Sequence, residues 1–95
     1  MGKLYLLESD GKYKIGITTG CVKKRIKKLR TGNPYKIQLV WEKECSNYMW
    51  MEKYWHGVFA ANRLVGEWFE LTTVDVVKII TSKKYCIFKG TRCEV

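Results

Sequence analysis

A chain of 95 residues has material for one modest core and little beyond it. Its 46% hydrophobic content, with four Trp and six Tyr, excludes disorder, and no apolar run approaches a membrane span. Eighteen Lys and Arg against nine Asp and Glu leave +9 at pH 7, and six of the eighteen fall between Lys23 and Arg30, a concentration that points to a polyanion, most commonly nucleic acid.

In chain order, Leu4 to Leu7 and Tyr13 to Ile17 flank Ser9-Asp10-Gly11-Lys12, and Asp-Gly at such a centre predicts a two-residue hairpin. With Ser9 opposite Lys12, Leu7 faces Lys14 and Tyr5 faces Gly16. One face then carries Leu4, Leu6, Tyr13, Ile15 and Ile17 as core. The other carries Tyr5, Leu7, Lys14 and Gly16, a phenol diagonal to an ammonium, with a glycine that leaves room for something to approach the backbone. The following helix has Val22, Ile26 and Leu29 as its apolar stripe, with Lys23, Lys24, Lys27, Lys28 and Arg30 off it as candidate phosphate contacts. Arg25 sits on the flank of the stripe. It either has an inward partner or runs along the helix edge to solvent.

Thr31-Gly32-Asn33-Pro34 is the expected helix stop. Ile37, Leu39 and Trp41, alternating with polar positions, predict a third strand. Ser46 or Asn47 then caps a helix to about Asn62, with Tyr48, Met51, Trp55, Val58 and Phe59 inward. Glu52 and His56, four apart, share one edge of that stripe. They are either a structural pair or the wall of a site. Gly66 marks a turn, and Glu67 with Trp68 and Phe69 is read first as corner packing, with a partner for Lys14 or Arg25 as the alternative. Thr72 and Asp75 have capping-box spacing for a third helix to about Ser82. Tyr85 to Phe88 looks strand-like. The four cysteines show no C-x-x-C pair and are read as free thiols, although Cys86 and Cys93 could close a small loop. The expected fold is a small α/β domain, a mainly antiparallel sheet of about three strands flanked by helices.

The joint order of Tyr5-Leu6-Leu7, Tyr13-Lys14-Ile15-Gly16, Lys24-Arg25, Leu29 to Pro34, Glu52 to His56 and Gly66-Glu67-Trp68-Phe69 resembles the GIY-YIG nuclease superfamily, in particular its short phage and bacterial branch. The likeness covers roughly residues 3 to 71 of a single domain, leaving 83–95 as an extension. The resemblance implies metal-dependent hydrolysis of DNA phosphodiesters. Tyr5, Gly16 and Arg25 match motif positions, Glu52 matches the single metal-binding glutamate, and Mg²⁺ or Mn²⁺ is the implied cofactor. Two departures stand out. Lys14 occupies the place of the second motif's tyrosine, where it is expected to lower the Tyr5 pKa or touch phosphate. The histidine that many members carry after the arginine is missing, so His56 is the expected general base.

The partner implied is DNA, with no membrane, and the chain is expected to be a monomer or weak homodimer. MGKLYLLESD lacks an h-region, a cleavage site and a myristoylation signal, so a cytoplasmic location is expected. The competing readings are a nuclease-like fold kept as a silent binding module and a protein-interaction domain built on the Trp-rich helix.

Overall fold

The computed structural model describes residues 2–30 and 36–86. Asp10 and Gly11 both take positive φ, 52° and 77°. That backbone matches the right-handed twist of the flanking strands. It closes β1 (Gly2–Ser9) on β2 (Lys12–Thr18) with Ser9 opposite Lys12, Leu7 opposite Lys14 and Tyr5 opposite Gly16, the expected register. Next come α1 (Val22–Arg30), β3 (Gln38–Cys45), α2 (Tyr48–Val58), a 3₁₀ turn (Ala60–Asn62), the two-residue β4 (Trp68–Phe69) and α3 (Thr73–Thr81). The sheet is antiparallel with order β3-β1-β2-β4, so a fourth strand joins the three expected. No helix among the described residues is long and apolar enough to cross a membrane.

Both faces of the hairpin are buried. Leu4, Leu6 and Ile15 pack with Met51, Trp55 and Phe59 of α2 and with Val76 and Ile79 of α3. On the other face Tyr5 and Leu7 pack with Val22 and Ile26 of α1 and with Ile37. This corrects the expectation of an open second face, since Tyr5 is only 1% exposed. The unbroken apolar run of β1, Leu4 to Leu7, is the pattern of a strand covered on both sides. The space above Gly16 is likewise filled, because a Cβ there would lie 2.5 Å from the Tyr5 hydroxyl oxygen and 2.6 Å from Cζ.

Several local expectations change for identifiable reasons. Leu7 pairs with Leu39 while Leu6 pairs with Trp41, so Val40 is an extra residue in β3. The bulge reverses the alternation. Ile37 therefore joins the α1 side, and Trp41 turns to the other face, 5.3 Å from the Tyr85 ring. The second helix ends at Val58, which is 49% exposed and so leaves the expected inward set, while Met51, Trp55 and the C-cap residue Phe59 are buried. Asn47 stands at the N-cap without capping. Its side chain instead donates to the Lys84 carbonyl (2.8 Å) and accepts from the Cys86 N–H (3.0 Å), docking the segment after α3. Thr72 and Asp75 form the reciprocal capping box. Cys21 and Cys45 are free, whereas Cys86 is disulfide-bonded, contrary to the free-thiol reading. The expected stop at Thr31 to Pro34 and the strand-like residues from Ile87 onward lie outside the described residues.

Gly16→Ala is expected to destabilise the protein by about 1–3 kcal/mol, because the new methyl group meets a buried ring that cannot withdraw. Gly57→Ala, in α2 with nothing within 4 Å, should instead stabilise by about 0.5–1 kcal/mol. Urea denaturation of the two variants checks both signs.

Candidate active site

The Tyr5 phenol reaches across Gly16 toward α1, where the Arg25 guanidinium meets it with a hydrogen bond. Arg25 itself is exposed, so its sequence position on the helix flank leads to a partner and to solvent at once. Burial pushes the Tyr5 phenol above its ordinary value, and the nearby Glu67 and Glu52 add to this against the pull of Arg25. The expectation of a Tyr5 lowered by Lys14 is therefore corrected. The cation that acts on the phenol is Arg25, and the net shift is upward.

Lys14 is engaged elsewhere. It is 8% exposed, its Nζ lies 3.6 Å from Glu67 Oε2, and the Trp68 ring centroid is 5.8 Å away. β4 follows β2 only at Tyr13 and Lys14. Just beyond, the Ile15 N–H donates to the Glu67 carbonyl (3.3 Å), and His56 Nε2 lies 2.9 Å from the Ile15 carbonyl oxygen. A carbonyl only accepts, so Nε2 carries the proton, and in the neutral ring the lone pair is left on Nδ1. The His56 ring also rests 5.0 Å from that of Phe69.

Glu52, one turn before His56, is half-buried. Burial raises its pKa first and the charge of Glu67 second, while His56, Lys14 and Lys53 pull the other way. Potential ligand atoms of Glu52, His56 and Glu67 all lie within 4.8 Å of one another. The structure thus brings Lys14, Glu52 and His56 together at the edge of β2 with Glu67, and joins Tyr5 to Arg25 within reach of the same acids. Glu67, read first from sequence as corner packing, takes the alternative role of a partner for Lys14. The signal for it was the Gly66-Glu67-Trp68 run: Gly66 takes φ 58°, and Trp68 pairs with Lys14.

Beside this cluster, Thr18, Gly20, Cys21, Lys24, Arg25 and Lys28 line a cleft of about 210 Å³. Lys23, Lys24, Lys27 and Lys28 are exposed along α1. Arg30 differs from these lysines, since its Nη2 donates to the Ile37 carbonyl (2.7 Å) and ties the end of α1 to the approach of β3.

The T5orf172 domain matches residues 2–83, which include every residue named above for the site. The chain belongs to the T5orf172 domain family. This domain is associated with nuclease-like, GIY-YIG-related proteins of phages and bacteria. No curated protein and no solved structure matches the chain. Within the T5orf172 domain the candidate residues come from four separate elements and from the turn before β4, so the site exists only in the folded chain.

Glu52 has a raised native pKa, so its charge opposes folding at neutral pH, and this cost vanishes as pH falls through the native pKa toward the ordinary 4.5. Glu52→Gln should therefore raise the melting temperature at pH 7, with the gain shrinking on acidification; a pH series of thermal melts checks it. The two free thiols are shifted in opposite directions. Backbone N–H groups of Lys23 and Lys24 lower the pKa of the exposed Cys21 thiol, while burial raises that of Cys45. Iodoacetamide at pH 7 should alkylate Cys21 first, as read by peptide mass.

Proposed function

We propose that this T5orf172 domain is a metal-dependent DNA endonuclease that hydrolyses phosphodiester bonds at a single-cation site. The observation that carries this reading is that the Tyr5–Arg25 pair and the half-buried carboxylate of Glu52 lie within electrostatic reach of each other, with Glu67 acting on all three. Each faces a different need of the reaction. The exposed guanidinium of Arg25, steadied by the phenol, is placed to accept a phosphate and to stabilise the charge that builds on its oxygens during in-line attack by water. The raised phenol of the buried Tyr5 stays protonated near neutral pH and acts through Arg25, whose guanidinium it steadies.

Glu52 is the carboxylate that would hold the cation, and it fits that task. Burial and the neighbouring charge of Glu67 both resist its ionisation, a resistance that a divalent ion removes. Mg²⁺ or Mn²⁺ there would supply Lewis acidity and a more acidic water. Lys14, neutralised by Glu67, fixes the side chain of that acid instead of adding a free charge. Lys23, Lys24, Lys27 and Lys28 would track the phosphate backbone, which positions DNA without reading its sequence. One domain offers one such site, so a double-strand cut takes two visits or a pair of chains.

Supercoiled plasmid incubated with the protein should be nicked with Mg²⁺ or Mn²⁺ and left intact with chelator. Arg25→Ala and Glu52→Ala should each slow nicking by about 10²-fold or more. A wild-type protein that binds plasmid but cuts it under no divalent ion would reduce the T5orf172 domain to a binding module. In the same preparation, Lys24→Ala and Lys28→Ala should each weaken DNA binding and lower its salt slope by about 1, measured by fluorescence anisotropy.

A further inference from the structure

Glu67 enters the reading above only as a charge acting on its neighbours, and ring nitrogen Nδ1 of His56 does not enter it at all. We propose that both join Glu52 as ligands of the divalent cation, forming a two-carboxylate, one-imidazole site that favours a first-row transition ion such as Mn²⁺ over Mg²⁺. The inference rests on the reading that a cation binds at Glu52, and it gives that site its ligand set and metal preference.

Three independent features support it. The donor atoms of Glu52, His56 and Glu67 lie within 4.8 Å of one another. Two donors on opposite sides of an ion bound at about 2.1 Å stand about 4.2 Å apart, so small side-chain rotations close the set. His56 Nε2–H is spent on the Ile15 carbonyl at 2.9 Å, which leaves Nδ1 as the ring nitrogen with a lone pair for a cation. Such an outer hydrogen bond, fixing the tautomer and the ring, accompanies almost every histidine ligand. Glu67 is anchored twice, by its carbonyl on the Ile15 N–H and by Oε2 on Lys14, so its carboxylate is held beside Glu52 despite their like charge. A residue that served only as the partner of Lys14 gains nothing from that crowding.

The metal preference follows from the donors. Mg²⁺ favours oxygen ligands and retained waters, whereas an imidazole nitrogen suits first-row transition ions. The proposal also takes His56 out of the general-base role expected from sequence, since a lone pair given to a cation is unavailable to a proton.

Mn²⁺ binding to the full chain without DNA tests the ligand set directly. The free-ion EPR signal is followed during titration of wild type, Glu52→Gln, Glu67→Gln and His56→Gln. Glutamine keeps an oxygen toward Lys14 at position 67 and an N–H donor toward Ile15 at position 56, and circular dichroism melts verify folding. Each substitution should weaken Mn²⁺ binding about tenfold or more. Pulsed EPR of the wild-type complex should show nitrogen modulation that His56→Gln abolishes, and Mg²⁺ should displace Mn²⁺ only in excess. Wild-type Mn²⁺ affinity in folded Glu67→Gln, or a wild-type complex without nitrogen modulation, overturns the inference. Either result leaves the nuclease reading intact if nicking still depends on Glu52. Conversely, three-ligand Mn²⁺ binding in a protein that never nicks plasmid removes the nuclease reading and keeps this one.

Discussion

Tyr5 lies across Gly16, and the central strand pair accommodates it only because position 16 has no Cβ. Much else follows from that contact. It places a phenol flat on the sheet with its oxygen directed at α1, so Arg25 finds a partner without being buried. It lets α1 close over Tyr5 and Leu7 through Val22 and Ile26, and so converts one face of a hairpin into a second small core. An aromatic ring laid on a cross-strand glycine is a way of giving a strand back the packing that glycine removes.

The site joins two layers that the sheet keeps apart. Tyr5 and Arg25 belong to the α1 side, while Glu52 and His56 belong to α2 on the other side. They come within electrostatic reach because β4 releases the edge of β2 after Lys14. At that edge the backbone of Ile15 holds Glu67 with its N–H and His56 with its carbonyl. A residue whose own side chain is buried in the core thereby sets the positions of two candidate ligands through its main chain.

The hairpin register was legible because Asp10-Gly11 admits few turns, and period two then assigns every facing pair. Tyr5, Arg25, Glu52 and His56 were legible for a related reason: each interrupts or flanks an apolar pattern, so local spacing alone marks it. For Glu67 the sequence offered a Lys14 partnership only as the second choice after corner packing, and local spacing could not decide between them. The position of Glu67 depends on the pairing of Trp68 with Lys14, a contact across more than fifty residues, and on the left-handed backbone of Gly66. The bulge at Val40 was hidden too, because an extra residue leaves the composition of a strand unchanged while reversing its faces. Asn47 has the composition of a cap and was diverted to the segment around Lys84, a choice made by tertiary contact.

The basic helix has one more consequence, for how the protein responds to salt. α1 places six cations in nine residues without a single acid. Lys23 and Lys27, and Lys24 and Lys28, are like-charge neighbours one turn apart, which disfavours the helix. Val22, Ile26 and Leu29, the Arg25 contact with Tyr5 and the bond from Arg30 to Ile37 hold it to the sheet against that repulsion. A phosphate backbone bound as proposed would add counter-charge along the helix, so polyanion and fold would reinforce each other. Ionic strength would then act in opposite senses on the two states: it screens the self-repulsion of the free protein and steadies it, while it would loosen the same helix from the DNA proposed as its partner.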